Sequence, residues 1–303
     1  MPRSLCQITD FSADEVREIF DLCGQMKKKQ IAPKPLEGKS AACIFTKESL
    51  RTRVSFEVGI HELGGHPVYI TDKEIKLGQR ETVADAARVL SRYVGLIMIR
   101  TFMQSDVDEL AKYASVPIVN GLTDLVHPCQ ILGDYFTMLE HLKPSDRYKV
   151  AYVGDGNNCT NSWLNLASLI PLDFRIGTAA DTQPDADIIA KAKANFESNI
   201  LITDDPMEAV AGADVIYTDV WASMGQKEQA NEKAAKLQKY QVNSALLKAA
   251  DPNAIVLHCL PAERGREITD EVIDGPQSVV FDEAENRLHI QKAIMLFLLQ
   301  QGS

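Results

Sequence analysis

The stretch Ala41-Ala42-Cys43-Ile44-Phe45-Thr46-Lys47-Glu48-Ser49-Leu50-Arg51-Thr52-Arg53-Val54-Ser55-Phe56-Glu57 decides how the chain is read. Residues 41–45 form an unbroken apolar run that reads as a buried strand. From there to Leu63, Phe56, Ile60 and Leu63 recur at i, i+4 and i+7, which predicts a helix, and Gly64-Gly65 supply its stop. The polar cluster between them therefore lies at a strand-to-helix turn. There the first amides of the helix lack intrahelical partners and the helix dipole is positive. Two guanidinium forks added to such a terminus suit a phosphate-like dianion. A serine or threonine cap beside solvated arginines fits the same residues.

Working outward, helical and strand-like segments alternate along the whole chain. Residues 14–29 read as an amphipathic helix capped by Ser12. Strands follow near 40–45, 67–70, 95–99 and 117–119, with helices near 80–92 and 105–113. A helix over about 129–142 leads to the polar break Lys143-Pro144-Ser145-Asp146. The alternation then restarts, with strands near 148–153, 172–176, 199–203, 214–217, 255–258 and 278–281 and a last helix over about 283–299. Such alternation predicts an α/β fold with parallel sheets covered on both faces. We expect two doubly wound domains, 1–143 and 147–283, with an interdomain cleft between them. Ligands of open α/β sheets bind beyond the carboxyl ends of strands. The polar clusters fall there: Ser49–Arg53, Arg100, Asn120, Asn157-Asn158, Asp219 and His258-Cys259 each follow an apolar run.

Composition narrows the function classes. The 303 residues are 45% apolar and 24% charged, ordinary for a globular protein. A net charge of −10 argues against nucleic-acid binding, and any basic cluster must be local. No apolar run approaches a membrane span, and the first residues lack the apolar core of a signal peptide. Six scattered cysteines (6, 23, 43, 129, 159 and 259) without a C-x-x-C pair point to neither a disulfide framework nor a zinc site. The expectation is a cytoplasmic protein.

Four further motifs carry chemistry, each beside a plainer reading. His127-Pro128-Cys129-Gln130 opens a helix, so a His and a Gln one turn apart face a small ligand together, or the His is structural. Gly154-Asp155-Gly156-Asn157-Asn158-Cys159-Thr160-Asn161 resembles a dinucleotide turn, but Cys159 stands where the third glycine belongs. Its asparagines suit a carboxylate or amide, or an ordinary polar turn. Asp219-Val220-Trp221-Ala222-Ser223-Met224-Gly225 offers a carboxylate for an ammonium and a hinge glycine, or a surface loop. His258-Cys259-Leu260-Pro261 ends a strand, where a lone Cys is usually a small buried hydrophobe. Arg287 stands out in the last helix among Ile, Met, Phe and Leu.

In this order, from about Phe11 to Leu299, the motifs resemble the aspartate/ornithine carbamoyltransferase superfamily. The Asp219…Ser223-Met224-Gly225 loop and His258-Cys259-Leu260-Pro261 resemble its ornithine branch. The resemblance implies that the first domain binds carbamoyl phosphate, the second binds the amino acid, and the last helix, about 284–303, returns to the first. It implies a homotrimer or an assembly of trimers. It also implies carbamoyl transfer from carbamoyl phosphate to the δ-amine of L-ornithine, giving L-citrulline and phosphate in arginine metabolism, with no metal or organic cofactor.

Carried over by position, Ser49, Leu50 (through its N–H), Arg51 and Thr52 would cradle phosphate. Lys76 and Gln79 would reach a neighbouring subunit's carbamoyl phosphate. Arg100, His127 and Arg287 would meet the carbonyl oxygen, and Pro128, Cys129 and Gln130 would complete the carbamoyl pocket. Asn158, Asp219, Ser223 and Met224 would hold the α-amino acid. Cys259 and the Leu260 carbonyl would orient the δ-amine while touching the carbamoyl group. An alkyl amine with a pKa of roughly 10 is unprotonated in about one molecule per thousand near neutral pH, a handicap of about 4 kcal/mol. The site is therefore expected to favour the neutral amine by desolvation and lone-pair acceptors.

Three positions depart from the family pattern. Leu50 stands where Thr is commonest, Lys76 where Gln is usual, and Glu263 where many members carry His. Rival readings are a carbamoyltransferase for putrescine or N-acyl-ornithine, a dinucleotide-dependent oxidoreductase built on Gly154–Thr160, and a non-catalytic relative.

Overall fold

The computed structural model describes residues 2–195, 197–221 and 233–301. The chain divides into two compact units, one made of residues 1–133 and 285–303, the other of residues 134–284.

In the first unit Ser12 caps helix α1 (Ala13–Lys27) in a capping box with Glu15. Strand β1 (Ser40–Phe45) leads through the quoted turn into α2 (Leu50–Glu62), and Ser49 caps α2 by accepting from the Thr52 amide at 3.2 Å. Then come β2 (His66–Thr71), α3 (Asp72–Ile75), α4 (Val83–Leu90), β3 (Leu96–Arg100), α5 (Gln104–Tyr113) and β4 (Ile118–Leu122). The four strands form one parallel sheet in the order β2-β1-β3-β4. Ala42 and Ile44 of β1, Ile97 and Ile99 of β3 and Val107 and Leu110 of α5 meet in one apolar core. Burial on both faces explains why β1 and β3 read as continuous apolar runs without alternation.

Helix α6 (Pro128–His141) carries the chain from the first unit to the second after Gly133. The second unit holds β5 (Tyr148–Val153), α7 (Asn158–Ala167), β6 (Leu172–Gly177), α8 (Ala186–Lys193), β7 (Asn199–Thr203), α9 (Pro206–Val210), β8 (Val215–Thr218) and β9 (Ile255–His258). Its sheet is parallel throughout, in the order β7-β6-β5-β8-β9. The expected break at 143–147 lies between α6 and β5.

The C-terminal helix, Val280–Gln300, returns the chain to the first unit after Ala284. There it packs on α2: a Cβ on Gly59 would lie 3.2 Å from Lys292 and 3.4 Å from Met295. The strand expected at 278–281 is absent. A single bridge pairs Val256 with Ser278, and helix begins at Val280. A four-residue apolar run does not distinguish strand from helix by itself. Here Asp282 occupies the first turn, where the dipole favours a charged acid. No helix among the described residues is long and apolar enough to cross a membrane.

Candidate active site

Each sheet reverses its direction of growth once. In the first, β1 has β2 on one side and β3 on the other; in the second, β5 stands between β6 and β8. At such a point the loops leaving two adjacent strands diverge and open a crevice at the carboxyl edge. The chain leaves β1 into Thr46–Thr52, β3 ends at Arg100, β5 runs into Gly154–Asn158, and β8 ends one residue before Asp219. The motif residues thus stand at the two switch points.

In the first unit the side chains converge on Thr52, which is fully buried. Its Oγ1 accepts from Ser49 Oγ at 3.0 Å, from Arg100 Nη1 at 3.0 Å and from Arg287 Nη2. Three donors aimed at one hydroxyl oxygen with two lone pairs form a nest that an oxygen-rich anion fills better. Arg287 also donates to Gln130 Oε1 at 2.9 Å. Gly133, one turn beyond Gln130, lies against the same helix: an added Cβ would stand 3.3 Å from Ile290 Cγ2 and 3.6 Å from the Arg287 backbone. Lys47, nearly buried, pairs with Asp124 at 2.9 Å and lies 5.2 Å from the centre of the Phe102 ring.

His127 is buried among these cations. Burial, followed by Arg287, Arg100 and Lys47, holds its imidazole well below the usual histidine range. It is therefore a neutral hydrogen-bonding group at working pH. Cys129 is a thiol pushed up to about 12 by burial, and its Sγ donates to the Asn120 carbonyl at 3.4 Å.

In the second unit the sign of the site reverses. Asp219 accepts from Asn157 Nδ2 at 2.7 Å on one oxygen, and from the Val220 amide at 2.7 Å and Cys259 Sγ at 2.9 Å on the other. Asn157 also caps α7, accepting from the Cys159 amide at 2.9 Å. Cys259 is held well above the usual thiol range by its hydrogen bond with Cys159, by burial and by Asp219. Cys159 stands at about 11: the bond with Cys259 pulls it down, but burial and Asp219 outweigh this. Both sulfurs are protonated thiols, and Cys259 is not a thiolate nucleophile. The ligand atoms of Cys159, Asp219 and Cys259 lie within 4.8 Å of one another. A soft cation would have to displace both thiol protons to bind there.

The glycine-rich turn is not shaped for a dinucleotide. The Gly156 amide donates to the Thr182 carbonyl at 2.8 Å, and a Cβ on Gly156 would lie 2.4 Å from that oxygen. The close backbone approach this glycine permits is to the chain's own loop after β6.

The structure brings together Ser49, Thr52, Arg100, His127, Gln130 and Arg287 in one cluster, and Asp219 and Cys259 in another. Arg51 is half-buried in the first turn of α2, and Asn158 opens α7 beside Asn157. Leu50 is 74% exposed, and its apolar side chain offers a phosphate no hydrogen bond, which leaves its backbone N–H as the polar group there. Pro128 is the first residue of α6. Lys76 and Gln79 are exposed, and no contact among the described residues joins them to the cluster. Ser223, Met224 and the hinge expected at Gly225 lie outside the described residues. Arg53 turns away: it pairs with Glu57 at 2.9 Å and lies 3.8 Å from the centre of the Tyr69 ring.

Sequence reasoning passed over Lys47, Asn157 and Cys159 as members of these clusters. Lys47 stands in the quoted turn itself, and a lysine two residues after a buried strand was a usable signal. Nothing local in the sequence pairs Cys159 with Cys259.

Comparison with known proteins matches two family models. The aspartate/ornithine carbamoyltransferase, carbamoyl-P binding domain covers residues 3–140, and the Asp/Orn binding domain of the same family covers residues 146–298. The chain is 47% identical over 302 residues to an ornithine carbamoyltransferase of Syntrophus aciditrophicus (strain SB), covering 99% of this chain and 100% of that one. It is 48% identical over 303 residues to the enzyme of that name in Geobacter sulfurreducens, with the same coverage of 99% and 100%. Among solved structures, ornithine carbamoyltransferase from Pyrococcus furiosus matches with a TM-score of 0.94 at 46% identity, covering 99% of this chain and 97% of that chain.

Proposed function

The chain belongs to the aspartate/ornithine carbamoyltransferase family, and from that premise we propose that it transfers the carbamoyl group of carbamoyl phosphate to the δ-amine of L-ornithine, releasing L-citrulline and phosphate. The observation that carries this reading is the convergence of Ser49, Arg100 and Arg287 on Thr52 Oγ1 at the start of α2, with neutral His127 beside them.

In this reading the phosphate sits at the α2 N-terminus, held by Ser49, Arg51, Thr52 and the Leu50 amide. Gln130 holds the carbamoyl nitrogen, flanked by Pro128 and Cys129. His127, Arg100 and Arg287 donate to the carbonyl oxygen as the δ-nitrogen attacks and negative charge develops there. The new C–N bond forms and the C–O bond to phosphate breaks; the leaving phosphate keeps the bonding pair and takes the proton shed by the δ-nitrogen, so it departs as the hydrogen phosphate dianion under the arginines. Neutral His127 suits this role, because a donor without its own charge leaves the cationic field to the guanidinium groups.

On the amino-acid side, Asn158 takes the α-carboxylate and Asp219 the α-ammonium. The Cys259 thiol donates to Asp219, leaving its sulfur lone pairs, with the Leu260 carbonyl, to accept the N–H bonds of the neutral δ-amine. No step draws on a metal or an organic cofactor.

An apolar stripe on α2, Leu50, Val54 and Val58 at i, i+4 and i+8, is exposed. It supports association of copies into a trimer, with Lys76 and Gln79 offered to a neighbour. Light scattering should then return three times the 33.5 kDa chain mass. All six cysteines are free, which supports a reducing, cytoplasmic setting.

The test of acceptor is a parallel assay of citrulline and carbamoylputrescine formation. Citrulline should dominate. Preference for putrescine would defeat the assignment, because Asn158 would then have no α-carboxylate to bind.

A further inference from the structure

His258 and Glu267 stand beside the site and the mechanism above does not use them. Both side chains are fully buried, and His258 Nε2 lies 2.9 Å from Glu267 Oε1. The Leu260 amide donates to His258 Nδ1 at 2.9 Å. A backbone amide can only donate, so Nδ1 carries no proton, and the proton is on Nε2, where it is donated to Glu267. The same Glu267 oxygen accepts from the Glu263 amide at 2.6 Å, a bond that any non-proline residue there would make; the Glu263 carboxylate pairs outward with Arg266 at 2.9 Å. The imidazole is therefore locked in one tautomer, and its acceptor face holds the residue after Cys259.

That grip has a conformational consequence. Leu260 has φ +54°, in the left-handed region that residues with a Cβ rarely adopt. No glycine relieves it. The His258 Nδ1 bond to its amide opposes relaxation to negative φ, which would turn the Leu260 carbonyl and swing the Cys259 thiol away from Asp219.

We propose that His258, oriented by Glu267, is a positioning residue for the attacking nitrogen: it fixes the Cys259 thiol and the Leu260 carbonyl in the one arrangement that points both at the δ-amine. The proposal rests on the reading that Cys259 and Leu260 hold this amine. It assigns His258 no contact with substrate.

The test contrasts two amides of different reach in the full-length enzyme. In His258→Asn, Oδ1 takes the place of Nδ1 and can accept from Leu260. In His258→Gln, the amide reaches Glu267 but leaves the Leu260 amide without its acceptor. Citrulline kinetics, thermal midpoints and inhibition by L-2-aminopentanoate, an ornithine lacking the δ-nitrogen, are measured for both and for Cys259→Ala. A displacement near 1 Å of reacting groups costs about 100-fold. His258→Gln should therefore lose about that factor in kcat, while His258→Asn stays within about tenfold of the parent. The KM for carbamoyl phosphate and inhibition by L-2-aminopentanoate should hold in both.

Equal kcat for the two variants, or activity that follows only their thermal midpoints, overturns the proposal and leaves His258 a packing residue. Weakened L-2-aminopentanoate inhibition in step with kcat also overturns it, because the damage would not be specific to the δ-nitrogen. If Cys259→Ala turns over ornithine like the parent, the amine-holding reading itself fails and takes this inference with it. If Cys259→Ala is impaired and the two His258 variants are alike, only the inference fails.

Discussion

The cluster around Thr52 and the cluster around Asp219 are built on the same scaffold feature, the switch point of a parallel sheet, yet their electrostatics are opposite. In the first unit Arg100, Arg287 and Lys47 surround a histidine held neutral, and Arg100 and Arg287 donate to uncharged oxygens. In the second, a nearly buried carboxylate collects donors from an asparagine, an amide and a thiol, and two thiols are held protonated around it. In the proposed reaction one cluster meets a dianion and a developing oxyanion, the other an ammonium and an uncharged amine. Fold alone does not choose between these; the side chains at and just beyond the strand ends, with Arg287 from the C-terminal helix, do.

The comparison breaks first if the cations are not catalytic. Arg287→Met keeps the length and removes the charge. Citrulline kinetics should show kcat/KM falling by about 1000-fold, while the thermal midpoint holds or rises, since replacing a buried charge by an apolar group of similar size is often neutral or stabilising. Retained activity would remove Arg287 from the reaction.

Asp219→Asn tests the opposite pole. The amide oxygen still accepts from Asn157, but the charge is gone. Loss of a charged hydrogen bond worth about 1.5–3 kcal/mol should raise the KM for ornithine by about 10- to 100-fold and leave that for carbamoyl phosphate in place. A change confined to carbamoyl phosphate would mean the two clusters have been assigned to the wrong substrates.

Thr52→Val removes the oxygen on which the donors converge. Stranding buried donors should destabilise the free protein by about 1–3 kcal/mol in chemical denaturation. Inorganic phosphate should restore more of the thermal midpoint in this variant than in the parent. Equal phosphate shifts would show that the anion does not take over the position of Thr52 Oγ1.

The smallest effect sharpens the contrast through pH. His127 is depressed below 6.5, so its share of stability is present above that pH and is lost as pH falls. Glu283, in the second unit, is raised well above 4.5 by burial and by Asp134, so the fold keeps a proton that the unfolded chain releases. Its share declines as pH rises above 4.5. Urea midpoints between pH 5 and 9 should therefore lose part of their acid-side fall in His127→Gln and part of their alkaline-side fall in Glu283→Gln. Parallel curves for the parent and both variants would contradict the assigned directions.

Much of this was legible before the structure, and for a common reason. Arg100 directly follows an apolar run, Asp219 and Cys259 come one residue after one, and His127 stands just before a helix start, so hydrophobic periodicity locates them. What was hidden depends on contacts across sequence. His258 and Glu267 meet only because the 263–268 turn brings Glu267 back under the end of β9. The position of Lys47 in the quoted turn was legible, but its pairing with Asp124 and its place beside the Phe102 ring were not. The run at 278–281 shows the limit of short apolar patterns: it opens a helix whose Glu283 carboxyl accepts the His258 amide at 2.7 Å, a contact made across sequence.

The most direct test of the account is a crystal structure of the protein with carbamoyl phosphate bound. The phosphate should lie against the first turn of α2, in contact with Ser49, Arg51, Thr52 and Arg100, with the carbonyl oxygen toward His127 and Arg287. A phosphate bound elsewhere, with Thr52 Oγ1 still accepting from both arginines, would contradict it.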